Sequence, residues 1–210
     1  MKTFLFIFIV VGILGNGCRK EDDNKPETGT VTDIDGNTYV TVKIGEQWWM
    51  AENLKVTHYR NGDSIPNITA DVQWSALDTG AWCSYDNNPD YVEHYGRLYN
   101  WYGVTDNRNI APTGWHVATN DEWIALITIL GGEITAGDEL GKYSFNTHPG
   151  GYRLFADGDF QYLDSWGSWW ASTTYDVNSA WNVTTSTSGS WIGRASEDKR
   201  MGSSVRCVQD

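Results

Sequence analysis

The chain is poor in positive charge. Its 15 Lys and Arg stand against 27 Asp and Glu, a formal net charge of −12. That balance repels phosphate backbones, and no basic cluster offsets it, so nucleic acid is not expected as a partner. Cysteine is scarce: Cys18, Cys83 and Cys207 are the three, and no Cys-x-x-Cys pair occurs. The four histidines, His58, His94, His116 and His148, share no metal-ligand spacing. No serine sits in a Gly-x-Ser-x-Gly elbow, and no phosphate-binding glycine loop is present. Internal repeats and coiled-coil heptads are absent too. Asp157 and Asp159 are a possible carboxylate pair, but the intervening Gly158 fits a hairpin turn better. These absences point away from an enzyme, from a cofactor and from a bound metal.

Long apolar runs are also lacking. Phe4 to Leu14 is the length of a signal-peptide core and too short to cross a bilayer. Lys2 precedes it, small residues Gly15-Asn16-Gly17 follow, and then comes Cys18. A cysteine in that place resembles a bacterial lipoprotein processing site, with Leu14 four positions before it. The expectation is a signal peptide over 1–17 and a lipid on Cys18; the alternative is an ordinary cleaved signal. Residues 18–29 hold Arg19 to Glu27, charged and without an apolar side chain, and read as a flexible acidic tether. Such an acidic run resembles the surface-export signal of some Gram-negative lipoproteins. Outer membrane or cell surface is the expected location, with periplasm or secretion as the alternative. In an oxidising compartment a Cys83–Cys207 bridge becomes an option, and two free thiols remain the other.

The 30–210 segment carries the fold. Thr30 to Ile34, Asp35-Gly36 and Thr38 to Ile44 predict a hairpin, with Val40, Val42 and Ile44 alternating against Tyr39, Thr41 and Lys43. Asp33, Asp35 and Asn37 imitate the start of a calcium loop, but Thr38 stands where that loop needs glycine. Residues 55–95 read as long ordered loops. Leu98, Trp101 and Tyr102 predict a short helix within 96–104. The strongest signal follows. Thr119 and Glu122 form a T-x-x-E capping box, Trp123, Leu126, Ile127 and Leu130 make one helical face, and Gly131-Gly132 ends it. After Gly132 the signals are β: a hairpin about Asp157-Gly158, then strands near 169–174, 180–185, 190–195 and 203–208. Two helices with antiparallel sheets in one domain, entered through an N-terminal hairpin, is an α+β organisation.

Aromatics are abundant, with 12 Trp and 11 Tyr. Aromatic faces stack on sugar rings, while amides and carboxylates beside them bond hydroxyls. Trp115, Trp123, Trp169, Trp170 and Trp181 read as core. Tyr175 and Trp191 lie in polar surroundings between strands and are the candidate ligand contacts. A glycan or a surface protein is the expected partner, and a structural envelope protein without a small ligand is the alternative.

The ordered blocks make a resemblance. They are Asp35-Gly36-Asn37-Thr38-Tyr39, Gln47 to Leu54, Tyr95 to Tyr102, Pro112 to Val117, Pro149 to Arg153, Trp169 to Thr173 and Ser204 to Val208. From Val31 to Asp210 the chain resembles the Fibrobacter succinogenes major paralogous domain family (FISUMP). The resemblance implies a C-type-lectin-like fold related to formylglycine-generating enzymes, and an exported or lipid-anchored surface protein. Formylglycine-generating enzymes use a cysteine pair in the C-terminal half, whereas this chain has only Cys207 there, which disfavours that chemistry. Many members carry a cysteine where this chain has Ala111; if that cysteine normally pairs with the one matching Cys207, the usual bridge is missing here.

Overall fold

Backbone N–H groups at a helix start lack partners, and the sequence supplies them at Thr119. The Thr119 hydroxyl accepts from the Glu122 N–H (3.2 Å), and a Glu122 carboxylate oxygen accepts from the Thr119 N–H (2.7 Å). Helix α4 (Asn120–Ile129) follows, burying Trp123, Leu126 and Ile127, with Leu130 buried at its cap. Gly131 and Gly132 then take φ of +90° and +96°, a conformation other residues enter only with strain. The computed structural model describes residues 25–143, 145 and 148–210. The expected signal peptide, Cys18 and most of the expected tether lie outside the described residues.

Four shorter helices accompany α4 among the described residues: α1 (Asp71–Ser75), α2 (Val92–Tyr95), α3 (Trp101–Val104) and α5 (Ala136–Lys142). The expected two helices are thus five, and the expected 96–104 helix is a single turn. Leu98 and Tyr99 leave it to form strand β5 (Leu98–Tyr99), paired with β4 (Trp82–Cys83), because Trp82 and Cys83 offer a backbone ladder there.

The main sheet is antiparallel, in the order β1 (Thr28–Thr32), β2 (Thr38–Ile44), β3 (Gln47–Met50), β12 (Cys207–Gln209), β6 (Trp115–Val117). The C-terminal strand thereby lies between β3 and β6, with Val208 opposite Trp49 and His116. The N-terminal hairpin forms as expected, but its turn is longer than Asp35-Gly36, since Thr32 pairs with Thr38. The Asp33 carboxylate closes it, accepting from the N–H groups of Asp35 and Asn37 and from the Tyr39 hydroxyl. That is the turn reading of Asp33, Asp35 and Asn37.

A second sheet runs β11 (Ile192–Asp198), β10 (Ser179–Ser186), β9 (Trp166–Thr174), and a third is the hairpin β7 (Gly150–Arg153) and β8 (Phe160–Leu163). One face of the second sheet, through Trp169, Ala171, Val183 and Ile192, joins the core under α4 and α5. The segment after β11 stitches the sheets together: Gly202 bridges Arg153, Ser203 bridges Tyr99, and Ser204 bridges Trp169. The result is one α+β domain.

His116 ties β6 to α4 and to Asp210. Its Nε2 lies 2.8 Å from a Glu122 carboxylate oxygen and its Nδ1 2.7 Å from Asp210. Burial alone would depress the imidazole, but hydrogen bonds to Asp210 and Glu122 outweigh it and raise the pKa. Burial would raise Glu122, yet its bonds to Thr119 and His116 hold it low. The His116 contribution is therefore complete below the unfolded imidazole value of about 6.5 and fades as pH rises through the raised folded value. The Glu122 contribution is complete above the unfolded carboxyl value and fades in acid. Urea midpoints of the native chain and of His116→Gln are expected to draw together as pH rises from about 6 to about 8. A gap that does not change with pH contradicts this ion-pair assignment.

Candidate functional site

The other face of the β9–β10–β11 sheet supports a cleft. Opposed residues in antiparallel strands share a face, and the register places Ser168 opposite Thr184, and Asn182 opposite Ala195. Ala180 opposite Glu197 continues the row on the same side. Hairpin β7–β8 and its loop stand over this face and contribute Tyr152, Leu154, Phe155 and Tyr162, with Trp166 at the start of β9 and Met201 beyond β11. The enclosed volume is about 330 Å³, within the range of small-molecule sites.

The walls are aromatic and continuous. Tyr152 and Tyr162 have ring centroids 5.6 Å apart, Tyr162 and Trp166 6.1 Å, and Trp166 and Trp191 5.7 Å. Tyr162 is half exposed and sits at φ +63°, as Asp164 does at +60°. A bulky side chain in the left-handed region costs about 1–3 kcal/mol, and such strain concentrates where a side chain must be presented.

The deep side is polar and already ordered. The Ser168 hydroxyl donates to Asn182 Oδ1 (3.0 Å) and lies 3.0 Å from the Ser203 hydroxyl. Asn182 Nδ2 donates to Ser203 Oγ (3.2 Å). Thr184 continues this polar row along β10. Glu197 is the one ionisable carboxyl lining the cleft among the described residues, and burial followed by the neighbouring Asp198 raises its pKa. Tyr152 is raised as well, by burial, by Tyr162 and then by Glu197, which places the hairpin and the carboxylate in electrostatic contact.

The two candidate contacts read from sequence fall in different places. Trp191 is partly buried and adjoins the cleft: its ring crosses Gly193 and meets Trp166 edge-on at 76°. Tyr175 lies elsewhere, at the end of β9. There it packs T-shaped on Trp181 (5.0 Å), whose ring also carries Arg194 at 5.3 Å. The cleft does not bring the two together. Tyr162 and Trp166 belong to the aromatic-rich C-terminal half visible in the sequence but are not its singled-out candidates, and neither are Tyr152 and Glu197; the tyrosines flanking the Asp157-Gly158 turn and the tryptophan after it are the local clue.

Cys83 and Cys207 are both free and buried, so the considered bridge is not formed. Each thiol belongs to a different apolar cluster. Cys83 packs with Trp74, Tyr85 and Leu98; Cys207 packs with Tyr39, Tyr99 and Val117. Burial pushes the Cys83 thiol up to about 12 and raises Cys207 further. Asp157 accepts from the Asp159 N–H at 3.2 Å, the hydrogen bond of a turn. Among the described residues no group of three or more His, Cys, Asp or Glu is placed to hold a metal ion. No described helix is long and apolar enough to cross a membrane.

Residues 42–209 match the family described as the Fibrobacter succinogenes major domain. The chain belongs to this family. The match begins within β2 and ends in β12, so it takes in both strands that flank the C-terminal residues and the whole of the aromatic cleft. No curated protein and no solved structure matches the chain. Within this Fibrobacter succinogenes major domain, the cleft beneath hairpin β7–β8 is a concave surface that combines aromatic walls with polar groups.

Proposed function

We propose that this protein is an exported, surface-anchored binding module that takes a glycan in the cleft between hairpin β7–β8 and the β9–β11 sheet. The observation that carries the reading is the cleft itself. Four aromatic side chains surround a row of hydroxyl, amide and carboxyl groups, the combination that a sugar with apolar faces and hydroxyl edges requires. A spacer in an envelope has no need of a pre-formed cavity or of Tyr162 held at positive φ. The C-type-lectin-like fold is part of the same proposal, supported by the family resemblance and by the mixed α+β architecture.

The module works without catalysis in this reading. Thiol chemistry of the formylglycine-generating type needs an accessible thiolate. Both described cysteines are fully buried with raised pKa, which argues against it. Anchoring is assigned to a lipid on Cys18, on the strength of the leader pattern and the acidic tether. Mass spectrometry of the mature N-terminus tests that assignment: an acylated Cys18 is expected, and an unmodified N-terminus elsewhere refutes it.

A glycan array followed by calorimetry tests the ligand site. Trp166→Ala is expected to weaken the strongest glycan hit by about two- to tenfold, given about 0.5–1.5 kcal/mol for one stacked ring. Tyr175→Ala, outside the cleft, leaves affinity unchanged. An array that stays blank, or a hit indifferent to Trp166 and Tyr162, removes the glycan reading.

A further inference from the structure

We propose that the cleft selects a glycan with unacetylated amino groups, its ammonium held by Glu197 among the aromatic rings. The inference rests on the ligand-site reading above and narrows its ligand class. Glu197 projects from β11 on the cleft face, opposite Ala180 and in line with Ala195. Glu197 is partly buried, and even partial burial of a carboxylate is costly unless a cation or several donors meet it. The influences on Glu197 are burial and Asp198, and both disfavour its charge. From the hairpin, Tyr152 and Tyr162 face the cleft and bring no positive charge. Arg200, whose guanidinium rests over the cleft residue Phe155, is committed elsewhere: it grips Asp198 through two bonds of 2.9 and 2.7 Å.

A cationic ligand answers both features at once. It neutralises the carboxylate, and its charge is drawn to the negative faces of the surrounding rings. The net charge of −12 favours its approach. An acetylated amine carries no charge and loses both gains. A uronic or sialic acid meets repulsion from Glu197. A bare quaternary ammonium has no hydroxyl to offer the polar side of the cleft at Thr184, whereas a sugar has.

The test is calorimetric titration of the whole chain with glucosamine tetramer and with N-acetylglucosamine tetramer. The unacetylated oligomer is expected to bind about tenfold more tightly, the scale of one charge-assisted hydrogen bond. Glu197→Gln is expected to erase that preference while its melting temperature stays at or above the native value. In the native chain the preference shrinks with added salt. Once the pH is low enough for the glucosamine ammonium to be fully formed, the preference shrinks on further acidification, because the raised carboxyl of Glu197 takes a proton before an ordinary glutamate does. Should Glu197→Gln fail to fold, the salt and pH series decide alone. Equal or tighter binding of the acetylated oligomer, or a preference unmoved by Glu197→Gln or by salt, overturns the inference. Acetylated oligomer bound in a Trp166-dependent way leaves the ligand-site reading standing; no glycan bound at all removes both.

Discussion

Replacing Arg153 by alanine is expected to destabilise the fold by about 3–5 kcal/mol, the cost of leaving buried polar groups without their charged partner. The Arg153 side chain is fully buried on β7. Its guanidinium donates to Gly158 O (2.8 Å), Ile68 O (2.7 Å), Thr69 O (2.9 Å) and an Asp71 carboxylate oxygen (2.7 Å). The Trp74 and Phe160 rings flank it at 4.6 and 4.7 Å. One planar fork therefore joins hairpin β7–β8 to the loop that leads into α1. Alanine strips three carbonyls and a carboxylate of their donor and opens a void between two rings. Lysine is no substitute, since a single ammonium cannot span four acceptors in that plane. Asp71 is largely exposed, so most of the loss comes from the carbonyls and the void. Equilibrium urea unfolding with an unchanged slope reads the effect. A loss under about 1 kcal/mol would mean that these bonds are replaced by water at no cost.

The second large effect centres on Trp169. Its ring is buried between α4 and the β9–β11 sheet, 6.0 Å from Trp123. Its indole N–H donates to Asn53 Oδ1 (2.8 Å), and the fully buried Arg206 donates to the same oxygen (2.7 Å). Burial depresses the Arg206 pKa to about 9, so its charge depends on the acceptors that remain. Trp169→Ala is expected to cost about 3–5 kcal/mol through lost burial and the cavity. Trp169→Phe keeps most of the volume and removes the donor, and should cost about 1–2 kcal/mol. The ordering is the point: if phenylalanine is as damaging as alanine, the hydrogen bond and not the packing holds this junction.

These two residues also show what the sequence reveals and what it conceals. Helix α4 is legible because each signal is local: the Thr119–Glu122 box, the stripe from Trp123 to Leu130, and the paired glycines. Hairpin β7–β8 is legible for the same reason, since Asp157-Gly158 marks its turn. Helix α5 is not. It contains Gly137 and Gly141, poor helix formers, and tertiary contact decides the matter. The Gly137 N–H donates to Ser190 O at 2.6 Å, and a Cβ there would meet that oxygen at 2.5 Å. Leu98 carried a helical spacing, yet the ladder with Trp82 and Cys83 overrode it.

The cleft was concealed for a related reason. Its groups come from β7, β8, β9, β10 and β11, and no window of sequence holds more than a few of them. In the sequence, polar surroundings mark Tyr175 and Trp191. Tyr175 packs on Trp181 and does not line the cleft. What makes the cleft is register: a two-residue period puts Ser168, Asn182, Thr184 and Glu197 on one face and sends Trp169 and Val183 to the other. A shift of one residue would exchange those faces, so the site is specified by the same alternation that builds the core.

The most direct check on the cleft is a tryptophan indole map. Each indole N–H gives its own signal in a two-dimensional nitrogen–proton NMR spectrum, and Trp166, Trp181 and Trp101 occupy separate parts of the surface. On titration with glucosamine tetramer, the Trp166 signal should move progressively, with a smaller shift at the adjoining Trp191, while Trp101 and Trp181 stay fixed. Movement centred on Trp181 with Trp166 unaffected would contradict the account, because the ligand would then sit on the opposite face of the sheet.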